Sequence, residues 1–435
     1  MNRSQSKNVV VVDGYSSGRV IAQDLKDMGT NVFHLHSTPV PPEFLGSSLD
    51  TSSYGRDLNY LGTPDEATAT LLTLGVDCVI AGCEMGVSFA ERLAHLVGTS
   101  TNLYHLARER RNKFHMIEAL HRHRLHAAQQ ALVSAEEQAV AWAMQHGKWP
   151  VVVKPIDSAA ADNVSICQKL NDVRLACRKA LGAKTLFGDT NRELVVQSWL
   201  DGPMYVVNTV SRDGRHFMTD AWLNHIRLIR DDTIFLDSLE WLNPDSDIAS
   251  KLLSYTFEAL DALGIVNGPA HSEVKWTANG PALVETGARL MGGAMDRESY
   301  AAADLKCQST YFALDLLQPD SMNALRDRRD RCAPGRHITK IFFDFNQHGT
   351  IKSVEGLKRL NELRTFHAIY RPLPAGTRVR PTVLNTGYGG TIYLVHDDSA
   401  LIKQDRETIR KWHQNGMLYQ IASEAINEPE AARLP

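Results

Sequence analysis

Two glutamates, Glu273 and Glu285, flank the turn TANGP in the stretch HSEVKWTANGPALVETGAR. Asn-Gly between two alternating apolar runs is a hairpin signal. With the turn centred on Asn279, the two carboxylates stand directly opposite each other on one face, because strand side chains alternate with period two. Like charges at such a cross-strand pair are destabilising. A divalent cation between them would offset that cost, and Mg2+ takes carboxylates together with substrate phosphates. Against this metal reading stands a plainer one: both carboxylates face water, or the register is off by one. Arg289 follows four residues after Glu285. An arginine beside a two-carboxylate metal site suits an anionic transition state; a plain salt bridge to one of the two glutamates is the alternative. Gly292-Gly293 leaves open space next to it.

Lys154 ends an apolar strand, VVVKP, and a loop of small residues, DSAAADNV, follows. Backbone N–H groups of such a loop can approach phosphate oxygens, so lysine and loop suggest a phosphate cradle. The spacing is not that of a Walker A motif, and a surface lysine before a turn is the bland alternative. Lys113 lies in the basic run RERRNKFHMIEALHRHRLH, which reads as one helix over 108–126 with a solvated, charged face. His121, His123 and His126 show no metal-ligand pairing there and read as surface residues. QSWLDG, from Gln197 to Gly202, links two β segments and offers backbone groups to a base.

These residues need a frame. KNVVVVDGYSSGRVIAQDLKDMGTNVFHL reads as strand, loop, helix, strand, and TLLTLGVDCVIAGCEMGVSFAERLAHLVG repeats the plan with a strand over 78–81. Strands alternating with helices argue for a parallel α/β sheet. DGYSSG follows the first strand but is not GxGxxG, so it carries no dinucleotide signature. EEQAVAWAMQHGKW reads as a helix ended by Gly147, and NDVRLACRKALGAK as another. ELVVQSWL and MYVVNTVSRDGRHFMTDAWL are β, which makes the middle of the chain α+β with antiparallel strands. After Arg331 the strands ITKIFFDF, GTIKSVEGL and GGTIYLVH precede a helix expected over 405–416. The last ten residues, INEPEAARLP, are expected to fray.

The 435 residues allow two to four domains and a sizeable core. Net charge is −3, so nothing drives the chain globally toward nucleic acid or membrane. The first apolar run, from Val9 to Val12, is too short for a signal sequence, and no stretch is long enough to span a bilayer. The six cysteines (Cys78, Cys83, Cys167, Cys177, Cys307, Cys332) form no CxxC pair. That pattern is expected of reduced thiols in a cytoplasmic protein.

The order RNKFHMIEAL, WPVVVKPIDSAAADNV, LVVQSWLDGPMYVV, GPAHSEVKWTANGPALVETGARLMGG resembles the ATP-grasp superfamily. Within it, the chain is most similar to carboxylate–amine ligases of the L-amino acid ligase type, related to bacilysin synthetase. The resemblance covers nearly the whole chain. It implies an ATP-grasp fold, α/β and α+β, with an N-terminal Rossmann-like α/β domain over 1–107. A central ATP-grasp subdomain with the phosphate loop would occupy 108–196. The ATP-grasp C-terminal subdomain with the Mg site would occupy 197–330, and a mainly β C-terminal region 331–435.

The resemblance further implies ATP and Mg2+ (or Mn2+) as cofactors. Lys113 and Lys154 would contact the phosphates, and the loop 158–164, beginning at Ser158, would close over them. The hinge 197–200, from Gln197 to Leu200, would bind adenine largely through its backbone. Glu273 and Glu285 would hold Mg2+. Arg289 and Lys154 would act in catalysis, and Glu84, His271, Arg289 and Gly293 would face the amino acid substrates. The implied reaction phosphorylates one amino acid carboxylate and lets the amine of a second attack the acyl phosphate, giving a dipeptide, ADP and phosphate. No nucleic acid or membrane partner is expected, and a homodimer is compatible. The chain departs from the family pattern in Ala159-Ala160-Ala161, where glycines are usual, and in Gln197, where a glutamate commonly opens the hinge. It also has Met204 where a second acid often stands, and Gly287 where relatives with ExN carry a further ligand. The rival readings are an ATP-grasp ligase for another acid and amine, and a non-catalytic ATP-binding regulatory protein.

Overall fold

The computed structural model describes residues 6–42, 45, 48–229, 234–293, 295–328, 335–382 and 389–423. The tail INEPEAARLP, Cys332 and the expected boundary at Arg331 lie outside them. The chain divides into two compact units, one of residues 1–222, 242–295 and 306–332, the other of 223–241, 296–305 and 333–435.

The first unit opens with β1 (Asn8–Val12), β2 (Asn31–Leu35), β3 (Arg56–Asp57) and β4 (Cys78–Ala81), a parallel sheet in the order β3-β2-β1-β4. All four valines of β1 are fully buried, as a central parallel strand covered on both faces requires. Helices Gly18–Asp27, Pro64–Thr73 and Val87–Val97 accompany the strands. The second of these starts on a capping box between Thr63 and Glu66 with Pro64 at its first position.

The basic run departs from its expected form. It is two helices, Ala107–Arg111 and Lys113–Arg122, broken at Asn112. Asn112 is extended, and its side-chain oxygen accepts from Phe114 N at 3.0 Å and His115 N at 3.1 Å. An Asn cap outcompetes helix continuation because it satisfies donors that a helix start leaves orphaned. Nor is the face wholly solvated: Arg110 is 1% exposed. His121 and His123 are exposed as expected, but His126 is half-buried, its Nδ1 3.1 Å from the Pro281 carbonyl.

Next come β5 (Gln130–Val133), β6 (Val151–Pro155), β7 (Ser165–Cys167) and β8 (Leu194–Ser198), antiparallel in the order β5-β8-β6-β7. Helices Glu136–His146 and Leu170–Ala180 share one core with this sheet, including Val151, Val153, Cys167, Cys177 and Val196. Gly147, at φ +66, ends the first of them. The chain continues into β9 (Met204–Arg212), β10 (Arg215–Leu228), β11 (Ile234–Trp241), β12 (Gly268–Thr277) and β13 (Gly280–Gly287). Within this unit the order is β13-β12-β9-β10. The five described cysteines are free and buried.

The second unit holds β11 and β14 (His337–Phe342), β15 (Gly349–Ser353), β16 (Phe366–Tyr370), β17 (Arg378–Val379), β18 (Thr391–His396) and β19 (Gln420–Ser423). They form the antiparallel run β11-β14-β18-β16 and a small sheet β17-β15-β19. Its helix spans Ser399–Gln414, starting six residues before the expected Asp405. Asp398 supplies the cap to Ala400 N, and Asp405 is a buried acceptor for Thr365 inside the helix. No described helix is long and apolar enough to cross a membrane.

Candidate active site

The hairpin β12–β13 pairs Glu273 with Glu285, though not by the route the turn suggests. Its tip is Ala278-Asn279, with Thr277 paired to Gly280 and Val274 to Leu283. Continued unbroken, that register would set Glu273 against Val284. A bulge between Glu273 and Val274 absorbs Val284 and brings Glu285 opposite Glu273. An extra residue re-aims a strand in this way beside functional sites. The turn was thus one residue off and the bulge corrected it. Both carboxylates remain partly open, at 28% and 30% side-chain exposure, so they are neither buried nor turned wholly to water.

Two lysines meet this pair. Lys154 leaves the end of β6 and is 5% exposed. Burial and the neighbouring Lys113 ammonium push its pKa down to about 8, against the opposing pull of Glu285 and Glu273. Lys113 opens its helix directly after the Asn112 cap. Its backbone N–H donates to Ile156 O at 2.8 Å, and its Nζ reaches Ser158 O at 2.7 Å and Glu285 Oε2 at 3.0 Å. Burial alone would raise the Glu285 pKa, but Lys113 and Lys154 outweigh it and the shift is downward. The break at Asn112 is therefore what delivers Lys113 to the loop and the carboxylates.

The loop 158–164 is held by its own side chains. Ser158 Oγ donates to Asp162 Oδ2 at 2.7 Å, and Leu186 N reaches the same oxygen at 3.0 Å. Ala160, Ala161 and Asn163 sit at φ +57, +63 and +51. That is the left-handed region glycine enters freely and alanine enters at a cost of about 1–2 kcal/mol. The alanines thus take the backbone shape of glycines without their ease.

Arg289 pairs with neither glutamate of the hairpin. Its Nε donates to Glu84 Oε2 at 2.6 Å, while Arg111 Nη1 bonds Glu84 Oε1. Burial would raise the Glu84 pKa, yet Arg289, Arg111 and Lys113 overcome it and hold it at about 2. Arg111 also donates to Asp157 Oδ1 at 2.6 Å. Gly287 makes room for this cluster: a Cβ there would stand 2.8 Å from Glu84 Oε2 and 3.3 Å from Arg289 Nε. Arg111 and Asp157 were missed in the sequence. The available signal was Asn112 as a cap, which would have detached Arg111 from a continuous solvated face.

His271 faces Asn208 across β12 and β9, with its Nδ1 2.9 Å from Asn208 Oδ1 and its Nε2 3.8 Å from Glu273 Oε1. Asn208 is itself fixed by Asp220. Gln197 is buried, and its amide donates to Gln130 Oε1 at 3.1 Å, so its side chain is turned inward. Past it, Leu200 is half-buried in the segment before β9, where Lys275 Nζ donates to Gly202 O at 2.7 Å. Gly293 is exposed at φ +86, with open space where a side chain would project. The geometry joins Lys113, Lys154, Ser158, Glu273 and Glu285 in one cluster and Glu84, Arg111 and Arg289 in another, with Lys113 acting on both. Facing hard-oxygen carboxylates beside two lysines fit a magnesium ion whose remaining ligands are phosphate and water.

Residues 111–237 match the model of the phosphoribosylglycinamide synthetase ATP-grasp (A) domain. Dapdiamide A synthase of Enterobacter agglomerans is 31% identical over 289 residues, 66% of this chain and 68% of the relative. Among solved structures, an L-amino acid ligase from Bacillus licheniformis aligns with TM-score 0.73 at 15% identity, covering 97% of this chain and 100% of that one. An N5-carboxyaminoimidazole synthase from Aspergillus clavatus, in complex with ADP, aligns with TM-score 0.66 at 14% identity, covering 95% and 99%. These structural likenesses show the fold.

Proposed function

The chain belongs to the ATP-grasp carboxylate–amine ligases, ADP-forming enzymes that make carbon–nitrogen bonds, and we propose that it joins the carboxylate of one amino acid to the amine of a second. The observation that carries this is the convergence of Lys113, Lys154, Glu273 and Glu285 on one face, next to Glu84 bridged by Arg111 and Arg289. The two lysines bind the triphosphate of ATP, and the loop 158–164 covers it with backbone N–H groups. The hinge near Leu200 receives adenine through its backbone, since Gln197 is already engaged. Glu273 and Glu285 hold Mg2+, which neutralises phosphate charge as the phosphoryl group moves. The carboxylate oxygen of the first substrate attacks the terminal phosphorus and ADP leaves. The amine of the second then attacks the acyl carbon and phosphate departs. Arg289 faces the negative charge that develops there, and His271, held by Asn208, lines the same side with Gly293. Positioning and charge neutralisation supply the rate.

One observation favours a second reading, an acid without an α-ammonium. Each oxygen of Glu84 already takes a guanidinium, which leaves it a poor partner for an ammonium. The test is phosphate release from ATP and Mg2+ across single and paired L-amino acids, with dicarboxylic and N-acylated acids included and product masses read in parallel. Release dependent on two amino acids with a dipeptide mass is expected. Release only with acids that lack the free ammonium would move the assignment to the second reading. Glu285→Gln should lose ADP formation with the fold intact, and normal turnover in that variant would sink the metal assignment.

A further inference from the structure

Away from these residues, the N-terminal sheet carries a second cluster built from the motif FHLHS. His34 lies in β2, His36 follows directly after its end, and Asp57 lies in β3 in register with His34. His34 and His36 are two residues apart, so they share a face, and their rings are 4.4 Å apart at the centroids. His34 Nδ1 is 3.1 Å from Asp57 Oδ1, and His36 Nε2 is 3.8 Å from Asp57 Oδ2. One ligand atom from each lies within 4.8 Å of the other two. A tetrahedral zinc-class ion with nitrogen and oxygen donors about 2.0–2.2 Å away holds those donors roughly 3.4 Å apart; the histidines stand 3.1 Å from one Asp57 oxygen and 3.8 Å from the other, to either side of that value.

One observation argues against a closed hydrogen-bonded cluster: His36 Nε2, 3.8 Å from Asp57 Oδ2, is too far for a hydrogen bond. The fully buried His34 turns its Nδ1 to Asp57. Outer contacts are also in place. The buried Tyr15 hydroxyl sits 2.7 Å from His36 Nδ1, which turns Nε2 toward Asp57. Asn59 N donates to Asp57 Oδ1 at 2.8 Å and fixes that carboxylate. Such second contacts orient metal ligands and set their tautomers.

We propose that His34, His36 and Asp57 form a binding site for a divalent transition metal of the zinc class, distinct from the Glu273–Glu285 pair. Two imidazoles and one carboxylate suit Zn2+, Co2+ or Ni2+ better than Mg2+, and three protein ligands leave a fourth position for water or a ligand. The site stands at the carboxyl end of β2, on the sheet whose β4 leads to Glu84. The full chain, stripped with a chelator, is titrated with Co2+ alone and followed in the visible region. One equivalent with tetrahedral d–d absorption is expected, displaced by Zn2+ and untouched by Mg2+. His36→Gln and Asp57→Asn should each weaken Co2+ about tenfold or more with far-UV circular dichroism unchanged. Glu285→Gln should leave it as it is. Absence of a stoichiometric band in the folded wild-type chain, wild-type affinity retained in both variants, or loss in Glu285→Gln would each overturn the assignment.

Discussion

Lys154 is an ammonium held where charge is expensive, and its ionisation should be visible in both binding and stability. Its folded pKa is about 8 against an ordinary 10.5. The unfolded chain therefore keeps a proton between those values that the folded chain has released. Stability rises with pH wherever the unfolded state binds more protons, so the burden of the charged amine is present below pH 8 and relieved as pH climbs toward 10.5. Lys154→Met should accordingly melt a few degrees higher than wild type at pH 7, with the advantage fading by pH 10, while losing turnover. ATP binding should show the opposite face: in the free enzyme KM for ATP is expected to rise above pH 8 as the positive charge is lost. A flat KM profile to pH 9.5 would remove Lys154 from the phosphate site. Arg111 invites a second test, because one guanidinium bridges Glu84 and Asp157. Arg111→Ala should lower kcat/KM about 100-fold, of the order seen when a charge-stabilising donor is removed. Arg111→Lys should not restore it, since an ammonium cannot reproduce the planar fork.

At the scale of elements, the loop 158–164 sets the sharpest expectation. Alanine at φ +57 and +63 is tolerable, whereas a β-branched residue in the left-handed region is a true outlier. Ala160→Val and Ala161→Val should raise KM for ATP severalfold, because the strain falls on the half-buried loop assigned to the phosphates. Glycine at the same positions should bind ATP at least as well as wild type. The same loop shows how far the sequence could be read. Its small residues between Lys154 and β7 were plain, and so was its place after an apolar strand, but nothing in AAAD shows which alanines turn left-handed. The hairpin teaches a similar lesson. Alternation and Asn-Gly marked the two strands, but the glutamates face each other only through a bulge that offsets a one-residue error in the turn, and that bulge at Val284 is invisible because valine suits a paired and an unpaired position alike. In the basic run neither glycine nor proline marks a break between Arg108 and His126, and only the capping chemistry of Asn112 interrupts the helix. Local pattern was legible; the choices among near-equal local states were made by packing.

The whole first unit depends on contacts that no local pattern displays. Arg110 Nε and Nη2 donate to Glu91 at 2.8 and 2.7 Å, and its Nη1 reaches the Leu103 and Leu263 carbonyls at 3.1 and 3.0 Å. Asn102 donates to the same carboxylate at 2.9 Å and accepts from Val266 N and Asn267 N. One buried ion pair thus ties the helix that follows Glu84, the helix that ends in Arg111, and the segment entering β12. Removing one partner of such a pair leaves an uncompensated buried charge and costs about 3–5 kcal/mol, whereas replacing both with apolar residues is often neutral. Arg110→Ala should therefore lower Tm strongly, and Arg110→Met with Glu91→Leu should recover most of it. Turnover separates the two roles this pair can have. If it serves only to dock the helices, the double variant regains kcat with Tm, because Arg111 again meets Glu84. If the double variant is as stable as wild type yet stays slow, the directional hydrogen bonds of Arg110 themselves set the angle at which Arg111 is presented.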